Sequence, residues 1–258
     1  MNMKLGAETY RSFGDCCFHT PLLKALSDKY RTPIDVATHP SCIDAFINLP
    51  FIKSITPIDN LEEGMKIFEK EKYDVSVQLT SCKYFPNKTS SLLDVQKAIA
   101  DSLKLPLLNR RPIFIPTKAE IDIVGNQHFD VALESEYLSQ QSWATQTDFD
   151  MILKTFDKQR ILWCSKPEGP DNTYRFDTRR ETIVALKNVK HFFCVGSGLF
   201  CASLNGLSPE NTYVLWIDKY YKYKRPMRDL MWDTNITWIE DRDQLVSVLN
   251  KLRKELSA

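Results

Sequence analysis

Phe13-Gly14-Asp15-Cys16-Cys17-Phe18-His19-Thr20-Pro21-Leu22-Leu23-Lys24-Ala25-Leu26 is the stretch on which the reading of the fold turns. A glycine and a carboxylate precede Leu22, Leu23, Leu26 and Tyr30, which share one face of a helix. Asp15 therefore stands where a strand gives way to a helix, the kind of loop that opens on a ligand crevice in α/β proteins. Thr20-Pro21 reads in two ways. It is an N-cap with proline at the first helical position, or a proline inside a helix already begun at Asp15. Either way Asp15 lies near a helix N-terminus, where the backbone dipole favours its ionised form. As a plain helix cap it would be structural only.

Outward from this stretch, short β-rich runs alternate with amphipathic helical ones, the pattern of α/β architecture with largely parallel sheets. Strands are expected at 4–9, 34–38, 54–58, 75–79 and 113–115, and helices near 15–30, 42–48, 61–72 and 90–104. Three prolines between Leu105 and Pro116 then break the rhythm. Residues 112–128 read as a linker separating lobes 1–116 and 129–258. In the second lobe strands are expected at 129–134, 160–164, 191–195, 212–217 and 236–239. Helices are expected at 148–156, 178–187, 198–205 and 241–255, the last with a stripe of Leu245, Val248, Leu249 and Leu252. The polar run 167–178 reads as a loop over a sheet edge. The expected fold is two Rossmann-like lobes with a cleft between them, where helix N-termini would favour a diphosphate.

The 258 residues suffice for two modest domains. A net charge of +1 provides no global field to recruit nucleic acid or anionic membrane. No stretch approaches the apolar length of a membrane span, and no signal-peptide run opens the chain. Seven scattered cysteines, mostly in apolar runs, read as reduced thiols of a cytoplasmic protein. With no Cys-x-x-Cys pair and four dispersed histidines, no metal site is expected.

A second informative segment runs from His191 to Gly206. An apolar strand ends in Gly196-Ser197-Gly198, followed by Leu199 and a small-residue helix. The two glycines let backbone amides approach a ligand, and Ser197 adds a hydroxyl. Read alone, it is also an ordinary strand-turn-helix junction. Further on, Lys219 to Arg228 carries five cations and three tyrosines without an acid. It reads as a solvated loop, or as a phosphate-binding one for a donor diphosphate or a nucleic-acid backbone.

Taken in order, these segments resemble the ADP-heptose lipopolysaccharide heptosyltransferases. Gly14-Asp15, Thr20-Pro21 and the leucine-rich helix are similar to that family's opening block. Tyr73-Asp74-Val75 resembles its Tyr-Asp strand entry, Leu133 with Trp143 its first second-lobe strand and Lys-x-Trp loop, and Phe193 to Gly206 its Asp-Ser/Thr-Gly segment. The resemblance implies a GT-B fold and metal-independent, inverting transfer of a sugar from a nucleotide-sugar donor, with no cofactor beyond that co-substrate. The acceptor hydroxyl would belong to a glycan or, given the basic loop, to a modified DNA base.

Under this reading Asp15 is the general base. The donor-side residues are Gly14, Gln141, Gly196, Ser197, Gly198, Leu199, Lys222, Lys224 and Arg225. Three positions depart from the family pattern: Gly196 replaces an aspartate, Cys201 a histidine and Gln141 a lysine. Glu134 and Glu136 would also repel a diphosphate unless paired. A rival reading follows from these departures, a non-catalytic binding protein that kept the fold.

Overall fold

The computed structural model describes residues 3–9, 12–79, 92–106, 111–135, 142–165, 169–195, 198–204, 209–215 and 236–257. The chain forms two compact units, Met1–Thr117 and Lys118–Ala258. Every strand pair within them is parallel.

The first unit holds β1 (Leu5–Thr9), α1 (Phe13–Tyr30), β2 (Ile34–Thr38), a 3₁₀ turn (Pro40–Ala45), β3 (Ile52–Pro57), α2 (Leu61–Glu71), β4 (Val75–Gln78) and α3 (Leu92–Ser102). Its sheet order is β3-β2-β1-β4. Three small features fix the start of β1. The backbone N–H of Lys4 donates to the Asp74 carboxylate (2.7 Å), and Asp74 N–H donates back to Lys4 O (2.9 Å). Gly6 meanwhile leaves room for two rings: a Cβ there would sit 2.7 Å from both Phe68 and Tyr73. The Tyr-Asp motif thus closes the sheet at the end opposite the site.

Helix α1 runs unbroken through Pro21 and is buried on nearly all sides from Phe13 to Ser27, with Leu22, Leu23 and Leu26 at 1% exposure or less. Each such leucine contributes roughly 1.5–3 kcal/mol. Of the two readings of Thr20-Pro21, the one inside the helix holds. Pro21 has no N–H for the Cys17 carbonyl. The Thr20 hydroxyl donates to that carbonyl instead (2.7 Å), and accepts from Ile113 N–H (2.7 Å).

The second unit holds α4 (Lys118–Val124), β5 (Phe129–Leu133), α5 (Gln146–Thr155), β6 (Ile161–Trp163), β7 (Thr173–Tyr174), α6 (Arg179–Leu186), β8 (Val189–Cys194), α7 (Gly198–Ser203), β9 (Asn211–Leu215), β10 (Ile236–Ile239) and α8 (Arg242–Ser257). Its order, β10-β9-β8-β5-β6-β7, is the doubly wound 3-2-1-4-5-6 arrangement read from the other edge. Phe149 and Ile152 of α5, Phe156 at its C-cap, and Leu245, Leu249 and Leu252 of α8 form a core with Val131, Leu133 and Phe193.

Several elements depart from the sequence reading. Residues 113–115 form no strand, 167–178 include the short edge strand β7, and the stretch read as a linker carries α4. That helix exposes Ile121 and Ile123, and buries an ion pair between Glu120 and Arg180 of α6 instead.

Candidate functional site

Each sheet has one place where the chain reverses its winding direction, and crevices form outside the strand ends there. In the first unit it lies between β1 and β4. The pairing extends one step past β4, where Leu79 N–H donates to Glu8 O (2.8 Å). The chain leaves β1 at Thr9 and enters α1 at Phe13, capped by Ser12, whose hydroxyl lies 3.5 Å from Asp15 N–H. Gly14 is buried and Asp15 half-buried. Asp15 therefore stands in the first turn of an 18-residue helix at the reversal point.

Beneath it runs a buried polar track. The Thr9 hydroxyl is hydrogen-bonded to His19 Nδ1 (2.9 Å) and lies 3.3 Å from Cys16 Sγ. The Thr38 hydroxyl donates to Thr9 O (2.9 Å) and lies 3.9 Å from the same sulfur. All four side chains are fully buried. A hydrogen bond with Cys42, together with burial, pushes the Cys16 thiol well above its ordinary pKa, so it stays protonated. Sequence reading passed over Thr9 and Thr38. The available signal was that both inner strands end in threonine.

In the second unit the reversal lies between β5 and β8. Beyond β5, Glu134 N–H donates to Phe193 O (2.9 Å), and Ser135 N–H donates to the Ser165 hydroxyl (2.6 Å). Glu134, Ser135 and Ser165 are all buried. Burial and the Glu134 charge push the Cys164 thiol well above its ordinary value. Across the gap β8 ends at Cys194, and α7 begins with half-buried Gly198 and buried Leu199.

The approach to α5 is pinned twice. Trp143 Nε1–H donates to Ile239 O at the end of β10 (2.8 Å). Asp148 accepts from Thr145 N–H (2.8 Å), from the Thr145 hydroxyl (2.7 Å), and from Arg242 Nε (2.7 Å) and Nη2 (3.1 Å). Burial alone would raise the Asp148 pKa, but these donors hold it below the ordinary value. Thr145-x-x-Asp148 has the spacing of a capping box, a signal for Asp148 that sequence reading passed over, whereas nothing in the sequence pointed to Arg242, 94 residues away.

Asp15, Gly14, Gly198 and Leu199 are thus placed at strand ends. Gln141, Gly196, Ser197, Lys222, Lys224 and Arg225 lie outside the described residues. Among the described residues no group of three or more His, Cys, Asp or Glu has the arrangement of a metal site, and no helix is long and apolar enough to cross a membrane.

Two parallel, helix-flanked sheets in tandem, each with its reversal point beside its first strand, define an α/β protein of the GT-B type. The solved structures it matches are of that kind. Against the E. coli ADP-heptose LPS heptosyltransferase II the TM-score is 0.67 at 13% identity, with 99% of this chain and 98% of that chain covered. A family 9 glycosyl transferase from Veillonella parvula gives 0.70 at 9% identity, covering 98% of each chain. The E. coli heptosyltransferase WaaC, solved with ADP, gives 0.64 at 11% identity, covering 99% and 98%. The resemblance read from the motifs is therefore found in the fold. No protein-family model matches the sequence, and no curated protein matches it significantly.

Proposed function

We propose that this protein is a nucleotide-sugar-dependent glycosyltransferase whose general base is Asp15. The observation that carries the reading is the position of Asp15: a half-buried carboxylate in the first turn of a long helix, at the reversal point of the first sheet. The acceptor hydroxyl loses its proton to Asp15 as its oxygen bonds to the sugar's anomeric carbon. The bond from that carbon to the diphosphate oxygen breaks on the opposite face, its electron pair leaving with the nucleoside diphosphate. Configuration inverts. An acceptor hydroxyl is a poor nucleophile, and a positioned carboxylate is suited to raise its reactivity.

The second unit takes the donor. Leaving-group charge is met by the backbone around Gly196, Ser197 and Gly198 and by Lys222, Lys224 and Arg225, without a metal. Each charge-assisted hydrogen bond from those cations contributes about 1.5–3 kcal/mol to donor binding. A glycan is the favoured acceptor. A nucleic-acid acceptor would reveal itself by binding that weakens steeply with salt.

Asp15→Asn keeps shape but removes the base. Turnover should fall roughly 10²–10⁴-fold with donor affinity nearly unchanged. Near-normal turnover would leave Asp15 a helix cap.

One observation favours a second reading, a binding protein without turnover: the buried carboxylate of Glu134 stands at the reversal point where a diphosphate would approach. Melting temperatures measured with ADP, UDP, GDP and their sugars decide between the two. A ligand of the native state raises the midpoint, and stabilisation by nucleotide sugars without product formation would favour the second.

A further inference from the structure

We propose that rotation between the two units is concentrated at Thr117, because the segment before it is a stiff strut clasped to the first unit by Asn48. The chain passes from one unit to the other at Thr117–Lys118. Backbone angles near that boundary must absorb any swing of one unit against the other.

The segment Arg111-Pro112-Ile113-Phe114-Ile115-Pro116 is stiff by composition. The rings of Pro112 and Pro116 fix φ at two positions. Each proline also confines the residue before it, Arg111 and Ile115, to extended backbone. The segment forms no strand, so side chains fasten it instead of a sheet.

Two side chains of the first unit do this. The Thr20 hydroxyl of α1 accepts from Ile113 N–H (2.7 Å). The Asn48 side-chain amide donates to two successive carbonyls, Ile115 O (3.3 Å) and Pro116 O (2.9 Å). Asn48 lies just before β3 with a φ of 64°, in the left-handed region that asparagine tolerates better than most residues. Glycine would serve the turn alone. An amide aimed at carbonyls 67 and 68 residues away is more than the turn requires.

Holding Pro116 O fixes the peptide plane that joins Pro116 to Thr117, so the next backbone angle along the chain is φ of Thr117. On the far side α4 begins at Lys118 and is anchored to its own unit. Glu120 accepts from Arg180 of α6 at 2.5 and 3.1 Å, and Val124 is buried. Thr117 therefore stands between a clasped strut and an anchored helix.

The test uses the full chain without any ligand, so it does not depend on the transferase reading. Asn48→Gly keeps the left-handed turn and removes the amide. Asn48→Asp keeps the shape and has no donor when ionised. In both variants the Ile113 amide should exchange with solvent roughly 3- to 10-fold faster by NMR, since loss of two hydrogen bonds lets the strut leave its seat more often. Unchanged exchange in both would overturn the clasp.

The pivot is read from spin labels on Lys97→Cys and Lys254→Cys, exposed positions in the first and second units. The chain without these two substitutions is measured alongside as a control for its own cysteines. Thr117→Gly should broaden the distance distribution between the labels, and Thr117→Pro should narrow it. Ile115→Gly adds freedom only within the clasped strut and should leave the width unchanged. Equal broadening by Ile115→Gly and Thr117→Gly, or no response to either substitution of Thr117, would overturn the assignment.

Discussion

A single hydroxyl does much of the local work in the segment that carries Asp15. Thr20 answers the carbonyl of Cys17 that Pro21 leaves without its helical donor, and it receives the N–H of Ile113 from the far end of the first unit. Thr20→Val keeps the shape and abandons both partners in a fully buried place. An orphaned buried group costs about 1–3 kcal/mol, so the melting temperature should drop by several degrees. A valine variant as stable as the native chain would mean that water reaches both groups. The Thr-Pro pair was visible in the sequence, but its role was not, because Ile113 lies 93 residues away. Tyr73-Asp74 was equally visible. Its use, filling the hollow over Gly6 and tying down Lys4, needed the paired strands in place.

Among the elements, those driven by apolar periodicity were legible. The last strand and helix were expected at 236–239 and 241–255 and are found as β10 and α8, with Leu245, Leu249 and Leu252 buried. Helix α4 was not legible, because charge rather than an apolar stripe holds it. Arg180 Nε and Nη2 donate to the two Glu120 oxygens at 2.5 and 3.1 Å, with Arg180 only 4% exposed. Removing one partner of a buried pair typically costs about 3–5 kcal/mol. Glu120→Gln should therefore destabilise the protein far more than a surface substitution would, as read from the urea midpoint. A loss below about 1 kcal/mol would show that solvent relieves the arginine.

The α5–α8 pair answers to acid instead. Hydrogen bonds from Arg242 and Thr145 hold the buried Asp148 carboxyl below its ordinary pKa. Its contribution is complete above the unfolded value of about 4 and is lost as pH falls through the lower folded value. Asp148→Asn should thus be less stable at neutral pH, and its stability should fall less steeply below about pH 4. Parallel stability–pH curves for the two proteins would remove Asp148 from the acid response.

At the scale of the molecule, the second unit has a complete doubly wound sheet with its own core. Residues 118–258 produced alone should unfold cooperatively in urea. If the donor side lies wholly within them, they should also keep nucleoside-diphosphate binding. A broad, non-cooperative transition would show that this core needs the first 117 residues. The parallel two-unit plan was legible because strands and helices alternate. The winding order was not, since it depends on which strands pair across long separations.

That order has a consequence for how the chain is made. In each sheet a central strand is synthesised first: Leu5 waits for Val75, and Phe129 waits for Val189. At roughly 5–20 residues per second on the ribosome, β1 spends several seconds with one edge unpaired while its later neighbour is still being translated. Leu5 and Ala7, buried in the finished protein, are meanwhile in reach of chaperones. The segment bearing Asp15 follows immediately in the nascent chain, so the turn that carries Asp15 takes its final shape only when residues made much later arrive.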